Sequence, residues 1–518
     1  MKKGKKLNKA TFFPPAILCV LITVVGVAAP TALESAVNAG LAWVTTNFKW
    51  FYTLGATLLI FFCLWAGLGK YGKIRIGGKD AVPEMSFFKW FSIVLTSGMA
   101  AGLCYWCVAE PLTFFQNPPA FAGYEGGSPE AFENTLKYVL HHWTLHPYAA
   151  YTSVGICISF MYWNAKKPFS IASALSPIMG EKATGKFRYF INALCIFCLV
   201  AGLGTTLGLA IDQLTVGIQY MTGITISRDI LALIVCLGFA GIAVVAACTG
   251  LHKGISMIST ANMYLFIFLL IFALCVGGTL TCLNNTVSAV GKYLNNFLNQ
   301  SFYTEAGYES GWINGWTIFY WGWWIAFAPM IGLFQVKLSK GRTIREYVIV
   351  NLFAPCLFLI AWMGVFGTSA MDMLRNGNTA VVDAIAEYGN SIAFFAYLKQ
   401  LPLAGIVLII AVIAVVFSIV TQTEAEVLTI ADMCVGSDED LAASDNFAPA
   451  WIKVFWGFLM SLLAYALLYS GGLNAVQTIS IILGLPMLIL LLFMCAASIK
   501  GLTKYKEYDK TLKDNEDY

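Results

Sequence analysis

The sequence predicts an all-α integral membrane protein of twelve transmembrane helices. Three observations carry this reading. Over 518 residues the chain is 58% hydrophobic and only 12% charged, more apolar surface than a water-soluble fold of this size hides. Its apolar runs are continuous and do not alternate, which excludes a membrane β-barrel. Lysine and arginine gather at the N-terminus and in the loops after the second, fourth and eighth spans, the asymmetry of a polytopic membrane protein.

The expected spans lie near 12–32, 50–69, 86–115, 139–163, 189–220, 229–249, 261–283, 314–338, 346–373, 402–431, 450–470 and 475–499. Several exceed the roughly 20 residues that cross a bilayer, so they tilt, break or extend beyond it. "MKKGKKLNK", "KYGKIRIGGK", "NAKKPF…GEKATGKFR" and "KLSKGRTIRE" are rich in cations, and the intervening loops are poor in them. By the positive-inside rule both termini are cytoplasmic, which needs an even number of spans. The acidic loop "GSDEDLAASDN" falls on the same side, but acids contribute little to that rule. The first span is too long for a signal-peptide core and lacks a small-residue cleavage site, so it reads as a retained helix. Both charged tails are expected to be mobile. The 14 cysteines lie almost wholly within spans. "CYWC" (Cys104–Cys107) and "CIFC" (Cys195–Cys198) have redox or zinc spacing but no matching second pair, and read as inert buried thiols.

Spans three to seven and eight to twelve form two groups of five. The leading helix of each is expected to break, the third at "SGMAAG" and Pro111, the eighth at Gly322 and Pro329. Matching breaks in two halves point to an inverted-repeat transporter with a midplane site, although glycine and proline are common in membrane helices generally. Between the groups, Val287, Val290, Tyr293, Leu294 and Phe297 recur at helical spacing, as in an amphipathic helix on the outer surface.

Aromatic residues concentrate in "HHWTLHPYAAY" (His141–Tyr151) and "YWGWWIAF" (Tyr320–Phe327). Trp143, Tyr148 and Tyr151 share roughly one helical face. Tyr320, Trp323, Trp324 and Phe327 form a stripe at i, i+3, i+4 and i+7. An interfacial belt places such rings at helix ends, whereas Trp323 and Trp324 lie in mid-span. Rings in mid-membrane suit a cage for a permanent cation. A trimethylammonium group has no N–H to donate, and ring faces attract it at about 2 kcal/mol or more per desolvated contact.

"GWTIFYWGWWIAFAPMIGLFQVKLSKGRTIREY" resembles the long signature of the betaine/carnitine/choline transporter family. "HHWTLHPYAAY", "SGMAAGLCYWCVAEPLTFF", "GEKATGKFRYFINALCIFCLVAGLGTTLGLA" and "GGLNAVQT" match further family segments in order. The resemblance implies a ten-helix inverted-repeat core shared with sodium-coupled amino-acid transporters, here spans 3–12, in a cell membrane. The chain then divides into residues 1–85 (N-terminus and two extra helices), 86–285 (first repeat), 286–302 (surface helix), 314–499 (second repeat) and 500–518 (tail). A homotrimer joined partly by the surface helix is also implied.

Carried over residue by residue, the family's cage falls on Trp143, Tyr148, Tyr151 and Trp324. Trp323 and Phe327 line the cytoplasmic side of the same route. The unwound segment falls on Met99, Ala100, Ala101 and Gly102, where betaine and choline members usually have more glycine and carnitine exchangers carry an alanine pair. Free backbone N–H groups around Ala100–Gly102 would meet the carboxylate of a zwitterion. The substrates implied are glycine betaine, carnitine, γ-butyrobetaine or choline, with a zwitterion favoured. No cofactor is implied, and sodium is the candidate coupling ion. Sodium-coupled members use a Thr-Ser pair of span ten with span-three backbone, including Met99 and Ala100. Here Thr421 matches, but Gln422 replaces the serine. Carnitine exchangers carry an arginine and a methionine where this chain has Asn262 and Ile331, so symport and exchange both stay open.

Three intramembrane acids, Asp212, Glu424 and Glu426, mark either an ion or proton pathway or watered helix ends. Glu424, one turn from Thr421, is the first proton candidate. Glu110, in "AEPL", reads as a structural cap before Pro111. The run Lys337, Lys340, Arg342 and Arg345 is expected to set topology and meet anionic headgroups. An integral membrane enzyme would need a catalytic cluster, and with four histidines and no nucleophile elbow or metal motif none is visible. A channel would want a polar stripe through several spans. A secondary transporter is the reading that remains.

Overall fold

The computed structural model describes residues 7–98, 100–249, 252–308, 310–435, 448–512 and 517–518. The acidic loop 436–446 and Met99 lie outside them. Among the described residues the chain is helical, with isolated β-bridges only at Leu7–Val435 and Arg75–Thr343. The main helices are α1 (Lys9–Ala28), α2 (Pro30–Leu68), α3 (Phe87–Gly98), α4 (Ala100–Gln116), α5 (Pro129–Trp143), α6 (Leu145–Ser159), α7 (Phe187–Thr222) and α8 (Arg228–Thr249). They continue with α9 (His252–Val276), α10 (Thr279–Ser301), α11 (Phe319–Ser339), α12 (Ala354–Arg375), α13 (Ala404–Met433), α14 (Ala450–Gly472) and α15 (Gln477–Thr503).

Among the described residues, ten helices are long and apolar enough to cross a membrane, and the bent pair α3–α4 makes an eleventh. The segment expected as the fourth span is divided into α5 and α6. Pro147 explains the division: it has no N–H for the carbonyl of Trp143, so α5 stops there and Thr144 leaves helical geometry (φ −110°, ψ −108°). Trp143 and the two tyrosines therefore occupy different helices, and not the single face that their spacing predicts.

Phe87–Gly98 and Gly102–Gln116 meet at 65°, so the break expected in the third span is present. It falls at the glycine-alanine stretch, and α4 runs on through Pro111. The break expected at Gly322 and Pro329 is absent, since α11 is helical throughout. Gly322 has another use. A Cβ there would lie 2.8 Å from the Ile481 backbone, and one on Gly484 would lie 2.8 Å from Gly322. Small residues let α11 and α15 cross in close contact. A turn does interrupt α14–α15, at Gly471 and at Gly472 with its φ of +59°.

The surface segment forms α10 over almost its expected length. Val287 and Leu294 of its predicted stripe are exposed, whereas Tyr293 is buried and its hydroxyl accepts a 2.9 Å bond from Thr144. The described parts of the C-terminal tail, expected to be mobile, are instead docked through Asp509 and Tyr518. Asn164 Nδ2 donates to Asp509 Oδ2 (2.7 Å) and to the Tyr518 hydroxyl (3.0 Å). The basic run is also held by protein. Lys337 pairs with Asp432 at 2.7 Å, Arg342 stacks over Phe87 and Trp90, and Arg345 donates to the Gly67 and Gly69 carbonyls.

Candidate substrate cage

The broken helix pair α5–α6 faces α11, and the aromatic residues meet between them. Trp324 is the hub. Its ring centroid lies 5.8 Å from Trp143 at 84°, and 5.3 Å from both Tyr148 and Tyr151. All four side chains are buried. Near-perpendicular rings with centroids about 6 Å apart make a corner in which one cation lies within about 6 Å of both. Among the described residues the Tyr148 and Tyr151 hydroxyls and the Trp324 indole N–H have no hydrogen-bond partner.

The break between α3 and α4 abuts this cluster. A Cβ on Gly98 would sit 3.5 Å from the Tyr151 ring. Ala100 and Ala101 open α4, and Gly102 is buried behind them. Phe327 continues the aromatic wall past Tyr151 (5.7 Å), while the Trp323 indole donates to Thr206 Oγ1 at 3.2 Å. The cage positions expected from the sequence, Trp143, Tyr148, Tyr151 and Trp324 with Trp323 and Phe327 adjoining, thus come together.

The residues behind the cage escape sequence reasoning. Glu110, on α4, is fully buried. Its Oε2 accepts from the Trp143 indole N–H and from the Tyr320 hydroxyl, each at 2.7 Å. Its Oε1 lies 2.7 Å from Nδ1 of His142, whose Nε2 lies 3.0 Å from Thr317 Oγ1. Glu110 therefore joins α4, α5 and α11 and is no mere cap before Pro111. The available signal was an acid inside an apolar span, with a histidine-tryptophan pair opening the next.

The candidate ion residues lie apart on α13. Thr421 donates its hydroxyl back to the Phe417 carbonyl (2.7 Å). Gln422 and Glu424 are buried, and among the described residues neither amide atom of the first and neither oxygen of the second has a partner. At the position of the exchangers' arginine, Asn262 donates to Ser418 Oγ (2.8 Å). Asp212 pairs with Arg228 at 2.5 Å beside a cavity lined by Tyr105, Asp229, Glu387 and Tyr388, which fits a watered helix end. The cysteines of both CxxC pairs are free and buried. Among the described residues no cluster of three metal-ligating side chains occurs.

A sequence profile described as "BCCT, betaine/carnitine/choline family transporter" matches residues 10–507. The chain belongs to this family. It is 33% identical to a probable glycine betaine transporter of Desulfitobacterium hafniense (strain Y51), over 97% of this chain and 99% of the relative. It is 34% identical to the glycine betaine transporter OpuD of Bacillus subtilis (strain 168), over 92% and 91%. An osmo-dependent choline transporter of Acinetobacter baylyi (strain ATCC 33305 / BD413 / ADP1) shares 30% identity over 96% of this chain and 71% of its own. Membership and the long apolar helices together make this family member a multi-pass membrane protein.

Proposed function

We propose that this protein is a secondary active transporter of quaternary ammonium compounds that works by alternating access and holds the cation in the Trp143, Tyr148, Tyr151 and Trp324 cage. The observation that carries the proposal is the convergence of three rings on Trp324 at 5.3–5.8 Å, in a buried site beside a broken helix. Glycine betaine and choline lead the substrates, because those are the compounds the relatives are named for. Carnitine and γ-butyrobetaine follow from the alanine pair at 100–101. Twelve spans, two extra N-terminal helices followed by two inverted groups of five with α5–α6 counted as one span, put both termini in the cytoplasm of a cell whose outer membrane surface carries α10. The exposed Leu280, Leu283, Val287, Leu294 and Leu298 of that helix are the natural seam of a homotrimer.

The second reading concerns coupling. Gln422 stands where sodium-coupled members have serine, which favours sodium-independent exchange over symport. Purified protein in liposomes separates the two. Labelled glycine betaine, choline or carnitine is taken up with and without a sodium gradient, and with and without unlabelled substrate inside. Uptake that needs the gradient means symport, with Thr421 and Gln422 as ion ligands. Uptake that ignores sodium and rises with internal substrate means exchange. No uptake of any of the three compounds sinks the proposal.

A further inference from the structure

Glu110 forms no ring wall of the cage, yet one ring of the cage, Trp143, and the neighbouring Tyr320 hang from its carboxyl. The Trp143 indole N–H and the Tyr320 hydroxyl converge on one oxygen, both at 2.7 Å. Trp143 itself stands 5.8 Å from the hub, Trp324, and Tyr320 stands 5.3 Å from Trp143. The carboxyl is fully buried, so its field is little screened by solvent. Its other oxygen is held by His142, which Thr317 steadies from the far side. Such bracing fixes the carboxyl in place behind the rings.

A ring attracts a cation through the negative charge on its face. An acceptor that draws the N–H or O–H proton towards itself leaves the ring behind richer in electrons, and a charge-assisted bond does so most strongly. We propose that Glu110 is a positioning residue that sets the cage's preference for positive charge, acting through Trp143 and Tyr320 without touching the substrate. The inference rests on the cation-cage reading above. It adds the claim that discrimination between a quaternary nitrogen and a neutral group of the same shape comes largely from one carboxyl behind the rings.

The test uses pairs of ligands that differ only in charge at that atom. Choline is compared with 3,3-dimethylbutan-1-ol, and glycine betaine with 3,3-dimethylbutanoate, a carbon replacing the nitrogen in each. Binding to the purified full-length protein is followed by tryptophan fluorescence or calorimetry. In E110Q, which keeps size and a carbonyl acceptor, the ratio of the affinities within a pair is expected to fall about tenfold. Equal weakening of both members of a pair, or no change, overturns the inference, because a residue that only braces the helices serves both equally. E110D, which retains the charge, is expected to recover part of the ratio. If E110Q does not fold, Y320F carries the test, removing one donor while keeping the ring: a smaller fall in the ratio supports the inference and an unchanged ratio overturns it. A wild-type protein that binds neither cation better than its isostere overturns the cage reading itself.

Discussion

Glu110 and Glu424 both lie in membrane helices, each with no more than 1% of its surface exposed, but their surroundings are opposite. Three side chains hold Glu110. Among the described residues neither oxygen of Glu424 has a hydrogen-bond partner, and Lys453 is a cation within its electrostatic range. A buried carboxyl is costly unless hydrogen bonds offset its lost hydration. The first is therefore part of a rigid scaffold that joins three helices. The second has no hydrogen-bond partner among the described residues, although the stretch of α13 that carries it is itself buried. A third carboxylate completes the scale: Glu133, at the surface, is paired with Lys292 at 2.8 Å.

The comparison can be broken at several points. The largest effect is expected at the hub of the scaffold, where Trp324→Leu removes the ring that all three partners meet. Losing that ring's cation contact, at about 2 kcal/mol or more, should lower kcat/KM for uptake by about thirtyfold or more. Near-normal uptake by this variant would show that the cluster is ordinary packing. Next comes Glu110→Ala, which leaves the indole and phenol donors buried without an acceptor, at about 1–3 kcal/mol each. It should lower the thermal midpoint of the purified protein clearly, whereas Glu110→Gln should lower it much less. Equal stability of the two variants would argue against the donor network.

Glu424→Gln should leave the thermal midpoint nearly unchanged, since no donor is orphaned. If Glu424 carries a coupling proton, the same variant flattens the pH profile of uptake driven by a proton gradient. An unchanged profile removes it as the proton site. The smallest effect belongs to Lys292→Ala. The Lys292 ammonium, by hydrogen bond and by charge, holds the Glu133 carboxyl below its usual range. A depressed pKa gives a contribution that is complete above the ordinary carboxylate value and is lost as pH falls through the lowered one. For so exposed a pair that contribution is slight and salt-sensitive. Thermal melts of wild type and Lys292→Ala should coincide at high salt and in acid, and differ barely at neutral pH in low salt.

Much of the fold was legible because helix length and loop charge are local quantities. The limits of α7 and α13 fall within two residues of the expected spans, and the apolar stretches Asn314–Ser339 and Ile344–Arg375, which contain α11 and α12, match the eighth and ninth. The "SGMAAG" break was legible as well. The supposed break in α11 was not, because glycine permits both a hinge and a close crossing. Ile481 and Gly484 on another helix decide which of these Gly322 serves. The stripe from Tyr320 to Phe327 identified one side of the aromatic cluster. Its meeting with Trp143, Tyr148 and Tyr151 depends on the division at Thr144, a consequence of Pro147 that spacing alone did not expose. The Glu110 network was the least legible part, since its partners lie 32, 33 and 210 residues away.

By itself, then, the sequence determined that this chain is helical and membrane-embedded, which segments are apolar enough to span, and which aromatic residues are candidates for a cation cage. Those properties follow from the order of neighbouring side chains. Only the tertiary structure decided that Glu110 joins His142, Trp143 and Tyr320, that Gly322 is a crossing and no hinge, and that Asp212 is paired with Arg228 while Glu424 has no partner among the described residues. Each of these is a relation between helices, and the packing that brings two helices within bonding distance is not written in the local pattern of either one.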